Sequence, residues 1–135
     1  MDITVGNWGL YQWFEEHGLE LIHPNDLDAI RNLMPNGKLF EVTDNDGDYL
    51  TLRYGNHTYR VNPSLFKLVS TPPFTFGDVV RIRKGGSVIS AKICDILWHF
   101  QRSEPYYHLA INGKRLTKQY WLKDFLDADE KFNTV

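Results

Sequence analysis

Leu39-Phe40-Glu41-Val42-Thr43-Asp44-Asn45-Asp46-Gly47-Asp48-Tyr49-Leu50-Thr51-Leu52-Arg53-Tyr54-Gly55-Asn56-His57-Thr58-Tyr59-Arg60-Val61 decides the fold. From Leu39 onward apolar residues recur with a period of two, the spacing that puts one face of a strand in a core. Asp44-Asn45-Asp46-Gly47-Asp48 is a dense turn signal, and Gly55-Asn56 is a second one. The stretch therefore predicts strands over 39–42, 49–54 and 57–61. Downstream, Asn62-Pro63-Ser64-Leu65-Phe66 predicts a single helical turn and Lys67-Leu68-Val69 a closing strand. Ser70-Thr71-Pro72-Pro73 is the best linker in the chain.

Upstream the period differs. Trp8, Leu10, Tyr11, Trp13 and Phe14 fall at helical spacing, with Glu15 and Glu16 outside them and Gly18 as a C-cap. Leu19 to Ile22 reads as a short extended piece. Pro24 suits a first helical position, with Asp26 and Asp28 in the favourable first turn. Leu27, Ile30, Leu33 and Met34 continue that helix until Pro35-Asn36-Gly37 stops it.

Beyond the linker the pattern restarts. Gly77-Asp78-Val79-Val80-Arg81-Ile82 resembles the run that begins at Gly37. Lys84-Gly85-Gly86-Ser87 is a turn, Val88 to Trp98 a long strand, and residues 101–105 a loop. Tyr106 to Ile111 is a strand closed by Asn112-Gly113, a specific hairpin signal. Leu116 to Trp121 extends, and residues 122–125 turn. Gly37, Gly55 and Phe66 thus find counterparts in Gly77, Gly113 and Phe125, a faint repeat of two small β units.

Length and charge narrow the field. The 135 residues suit one compact domain or two very small ones, and 42% hydrophobic with 14% aromatic residues excludes a disordered chain. The net charge of −2 conceals a split. Residues 1–50 carry ten acids against Arg31 and Lys38, or −8, whereas residues 51–76 carry +3 and residues 77–123 carry +6. The segment 124–135 returns −3. The N-terminus has no basic n-region or apolar h-region, and no apolar run reaches the ~18 residues of a membrane span. With one cysteine, Cys94, in an alternating apolar strand, the expectation is a small core residue in a soluble, cytoplasmic protein without membrane partners.

Short strands, tight turns and a helical turn before a last strand resemble SH3-like barrels of the Tudor and KOW sort. Val61-Asn62-Pro63-Ser64-Leu65-Phe66-Lys67-Leu68-Val69 carries that resemblance in the first unit. Gly77-Asp78-Val79-Val80 and Asp124-Phe125 carry it in the second. Ile93-Cys94-Asp95-Ile96-Leu97-Trp98-His99-Phe100 with Glu104-Pro105-Tyr106-Tyr107 is also similar to small uncharacterised bacterial proteins, a resemblance that brings no activity with it. Small bacterial proteins with an acidic front include immunity and accessory proteins. Fold likeness by itself assigns no function.

Few motifs carry chemistry. Asp44, Asp46 and Asp48 match the start of an EF-hand loop, but Tyr49 stands where that loop needs Gly and Gly55 where it needs a bidentate Glu. They read as an acidic hairpin turn. The histidines His17, His23, His57, His99 and His108 form no zinc pattern. His99 is the one to weigh as a general base, with Asp95 or Glu104 to orient it, yet no nucleophile accompanies it. Lys84-Gly85-Gly86-Ser87 is no phosphate loop, and neither a nucleophile elbow nor a dinucleotide fingerprint is present. No cofactor or metal is expected.

Two candidate surfaces remain. Trp98, His99, Tyr106, Tyr107 and Trp121 gather around one hairpin as a binding site, or in principle an aromatic cage for a methylated cation. Arg81, Arg83, Lys84, Lys114 and Arg115 are the nucleic-acid candidates, since cations interleaved with aromatics suit phosphates and bases. In a small β fold, however, aromatics first build the core and strand lysines protect edges. The sequence thus predicts an α+β, mainly β fold. A short N-terminal helical section over 1–36 precedes two SH3-like antiparallel β units at 37–71 and 74–126, packed as one globule. The expected function is a non-enzymatic protein-binding or accessory module. A nucleic-acid module using residues 77–123 comes second, and an enzyme centred near His99 last.

Overall fold

The computed structural model describes residues 2–127, so the acidic segment beyond Asp127 lies outside the described residues. The chain divides between Thr71 and Pro72 into two compact units. The first unit is one antiparallel sheet of five strands: β1 (Trp8–Tyr11), β2 (Leu39–Asn45), β3 (Leu50–Tyr54), β4 (His57–Val61) and β5 (Phe66–Val69). Their order is β4-β3-β2-β1-β5. Strand β1 sits inside the sheet, with Trp8 opposite Glu41 and Leu10 opposite Leu39 on one side, and Trp8 opposite Val69 on the other.

The helical reading of residues 8–14 is therefore wrong. All four residues of β1 are buried, so neither face of the segment is the polar face an amphipathic helix needs. Gly9 makes the strand possible: a Cβ there would collide with the Lys67 carbonyl oxygen and the Phe66 ring. Instead of an N-terminal helical section, residues 12–38 form a connection that returns to the sheet. It contains 3-10 turns at Glu15–His17, Leu19–Leu21 and Pro24–Asp26, and one α-helix, α1 (Leu27–Leu33). Pro24 stands at the start of its turn as its fixed φ suggests. Met34 ends α1 in the left-handed region at φ 56°. Leu19 to Ile22 is a turn rather than an extended piece, although Ile22 bridges Val61.

The strands predicted from 39–61 form with small changes. A bulge between Val42 and Asp44 lets β2 run on to Asn45. Leu39, Phe40, Val42, Leu50, Leu52 and Val61 have no exposed surface, so both faces of β2 are covered at its start. Each such side chain contributes about 1.5–3 kcal/mol by leaving water. Tyr11 is fully buried too, and its hydroxyl donates to the Asn62 carbonyl at 2.7 Å. Burial pushes that phenol far above its ordinary range.

The three arginines of this unit each meet one of its acids. Arg53 faces Glu41 across the β2–β3 pair at 2.6 Å, and Arg31 holds Glu15 at 2.6 Å. Asp26 accepts from the Arg60 backbone N–H and Nε, both at 2.8 Å, which ties the start of α1 to β4. Those Arg60 hydrogen bonds hold the Asp26 carboxyl below its usual range. The stabilisation is thus complete above an unfolded carboxyl pKa of about 3.9 and is lost as pH falls toward the lower folded value. Chemical melts below pH 4 are expected to show this loss, and Asp26→Asn to flatten it. An identical pH profile for the variant contradicts the assignment.

The second unit is a four-stranded antiparallel meander, β6 (Val79–Lys84), β7 (Ser87–His99), β8 (Glu104–Ile111) and β9 (Lys114–Arg115), in that spatial order. Asn112 and Gly113 have φ 51° and 79°, as a two-residue type I′ hairpin requires. Tyr120 then bridges Tyr107, with hydrogen bonds of 2.8 and 2.9 Å. A 3-10 turn at Leu122–Asp124 leads to Phe125, and the Leu126 N–H reaches the Arg81 carbonyl on β6 at 2.9 Å. The core is Phe74, Val80, Ile82, Ile93, Ile96, Tyr107, Leu109, Tyr120 and Phe125.

The two SH3-like units are also corrected. The described chain is mostly β, 45% strand and 17% helical, in two antiparallel sheets that are not closed barrels. Each sheet keeps edges: β4 and β5 in the first unit, β6 and β9 in the second. The pattern of turns recurs, with positive φ at Gly37 and Gly77 and a 3-10 turn before Phe66 and Phe125. The strand counts differ, because β1 comes from the stretch that reads as helix.

Candidate functional site: an aromatic face on the second unit

Alternation along β7 and β8 sorts the candidate residues into two faces. Cross-strand partners share a side, so Ile96 and Tyr107 point inward together, and Trp98 with Pro105 follows them at i+2. Tyr107 is fully buried, 6.4 Å from the Phe74 ring and 5.3 Å from Phe125. It belongs to the core, and burial raises its phenol far above the ordinary range. Trp98 lies on that same side. The predicted five-residue cluster is thus divided by the sheet, and no cage of Trp98, Tyr106, Tyr107 and Trp121 forms.

His99, Tyr106 and Trp121 do meet on the outward face. Ring centroids are 5.3 Å apart for His99–Trp121 and for Tyr106–Trp121, and 6.2 Å for His99–Tyr106. His108 extends the row, 6.2 Å from Tyr106. The Arg102 guanidinium lies over Trp121, 4.1 Å from the ring centroid, a close cation–π stack. Phe100, at the β7–β8 turn, is 53% exposed.

The turn chemistry builds this arrangement. Ser103 takes φ 51°, and the Arg102 backbone N–H donates to His99 Nδ1 at 3.1 Å. That bond fixes the His99 ring and points the start of the loop toward Trp121. On the other side, Asp124 accepts from the Trp121 backbone N–H at 2.8 Å, locking the 3-10 turn that carries the indole. Loop chemistry thus brings Arg102 to the face. The interleaving of bases and aromatics was the available signal, but sequence reading placed Arg102 only among the general positive charge.

The general-base reading of His99 gains no carboxylate partner among the described residues. Its Nδ1 serves the turn, Asp95 is held by Arg115 at 3.0 Å, and Glu104 pairs with Arg102 at 3.7 Å. His108 is half-buried, and burial together with the nearby Arg115 lowers its pKa, favouring the neutral ring. Cys94 occupies the bulge between Ile93 and Asp95, with Sγ 3.4 Å from the His108 carbonyl. It is half-buried rather than fully in the core. Burial and the Asp95 charge push its thiol up, away from the reactive thiolate.

Among the nucleic-acid candidates, Arg81 is bound to Asp127 at 2.8 Å and Arg115 to Asp95. Arg83, Lys84 and Lys114 stay on the exposed surface. The EF-hand-like stretch is a turn: Asp46 accepts from the Asp48 and Tyr49 N–H groups at 2.9 and 2.7 Å. Among the described residues no group of three or more His, Cys, Asp or Glu side chains is placed to hold a metal ion. No helix among them is long and apolar enough to cross a membrane.

The first unit holds a groove that the helical reading hid. It measures ≈ 580 Å³ and is lined by Trp13, Phe14, Met34 and Pro35, with Glu15 and Glu16 at its side. Phe14 and Met34 are 54% and 69% exposed.

Residues 1–126 match a family of unknown function (DUF6960), and the chain belongs to that family. No curated protein and no solved structure matches it.

Proposed function

We propose that the protein is a non-enzymatic protein-binding module, and that it binds through the outward face built by His99, Arg102, Tyr106 and Trp121. The observation that carries this reading is the stack of Arg102 on Trp121 beside Tyr106. Trp, Tyr and Arg dominate the energetics of protein interfaces when they cluster at one spot. Here their geometry is already set by the loop and turn hydrogen bonds, which lowers the ordering cost of binding.

The face fits a partner segment with an apolar side chain for the Trp121–Tyr106 surface and a carboxylate for Arg102. The only acid paired with Arg102 among the described residues is Glu104, at 3.7 Å and half exposed, a contact that a partner's carboxylate displaces at little cost. A cytoplasmic setting suits the single unpaired cysteine. The nucleic-acid reading has less support, because Arg81 and Arg115 are engaged by acids of their own unit.

The test is capture of the partner by wild-type protein and by Trp121→Ala at moderate salt. Loss of a central aromatic costs about 2 kcal/mol or more, so retention is expected to fall roughly 30-fold. Equal retention by both proteins removes this face from the binding surface.

A further inference from the structure

Beside this face, the second unit contains a separate cavity. The 126–127 segment lies along the open edge of β6: Leu126 N–H bonds the Arg81 carbonyl, and Asp127 takes both the Arg81 backbone N–H and its guanidinium. This leaves a pocket of ≈ 310 Å³ lined by Ile82, Arg83, Lys118, Tyr120, Lys123 and Leu126, together with Asp124. That volume is at the small end of ligand sites.

Its charge is one-sided. Three cations line it against one carboxylate, and Asp124 already accepts the Trp121 backbone N–H. Asp127 is taken by Arg81. No carboxylate among the described residues pairs with Arg83, Lys118 or Lys123. Lys118 instead lies over the Tyr120 ring, 5.3 Å from its centroid. Arg83, Lys118 and Lys123 are exposed, Leu126 beside them is half-buried, and Ile82 and Tyr120 behind them belong to the buried core.

We infer that this pocket binds a small phosphate monoester, with Arg83, Lys118 and Lys123 around the phosphate and the ester's organic group beside Leu126. A dianionic head matches three exposed cations that pair with no carboxylate among the described residues, and a surface pocket of this size takes one group. A nucleic-acid strand needs a continuous track of cations. The pairing of Arg81 with Asp127 and of Arg115 with Asp95 interrupts such a track.

The probe is phenyl phosphate, titrated into the ¹⁵N-labelled full chain at low ionic strength, with inorganic phosphate and a single-stranded oligonucleotide in parallel. Saturable amide shifts are expected at residues 82–84 and 118–126, with phenyl phosphate binding tighter than inorganic phosphate because its ring rests against Leu126. Lys118→Glu with Lys123→Glu should weaken phenyl phosphate at least about tenfold, the scale of a lost charge-assisted contact. Lys92→Glu, outside the pocket, should leave it unchanged. Lys118→Gln with Lys123→Gln gives the same comparison in a protein whose melt matches wild type. The inference is overturned by shifts that do not saturate, by equal weakening in Lys92→Glu, or by oligonucleotide binding without phenyl phosphate binding.

Discussion

Gly9→Ala is expected to destabilise the first unit by about 3 kcal/mol and to lower its melting temperature by roughly 10 °C or more. The added methyl would meet the Lys67 carbonyl oxygen and the Phe66 ring. One of these is backbone and cannot rotate away. Relief requires β1 and β5 to separate where Gly9 faces Leu68, and that breaks the ladder between them. The sign makes the result decisive. Were residues 8–14 helical, the same substitution would raise stability by about 1 kcal/mol, since glycine is the weaker helix former. A stabilised Gly9→Ala protein would therefore contradict the central placement of β1.

The second large effect separates two neighbours. Tyr107→Ala is expected to cost about 3–5 kcal/mol, as for other large aromatic truncations in a core. Its ring is fully buried between Phe74 and Phe125, and its backbone pairs with Tyr120. Tyr106→Ala removes a ring from the outward face, where it contacts Trp121, His99 and His108. That loss should cost only about 1 kcal/mol of stability, the worth of an aromatic contact. Denaturant titrations of the two variants read the difference directly. Equal destabilisation would mean that the assignment of faces along β8 is wrong.

The period-two stretch from Leu39 to Val61 made most of the first sheet legible, because strand alternation and Gly or Asn turns are local signals. Asn112-Gly113 likewise announced its hairpin. Strand β1 was not legible. Trp8, Leu10 and Tyr11 also fit one side of a helix, and burial on both faces erases the alternation that marks a strand. Only the fit of Gly9 against residues far along the chain, Phe66 and Lys67, decides the matter. Closure failed for a similar reason: whether a meander closes depends on edge pairing, and no short motif encodes that.

The candidate site was half legible. Aromatic composition around the β7–β8 hairpin pointed to His99, Tyr106 and Trp121, but it also included Tyr107 and Trp98 from the other side. The Ile93–Asp95 bulge shifts the register, so counting along β7 from its start gives the wrong face for everything after it. Arg102 and the Arg83–Lys118–Lys123 pocket depend on loop conformation and on the segment reaching Asp127. The charge split also changes meaning: arginines within each unit find acids nearby, such as Asp26 for Arg60 and Asp95 for Arg115.

Partner retention by Tyr106→Ala tests the binding face most directly, provided its unfolding is measured on the same preparation. The face predicts at least about a tenfold loss of retention with a melting temperature within a few degrees of wild type. Full retention by a correctly folded Tyr106→Ala protein would contradict it.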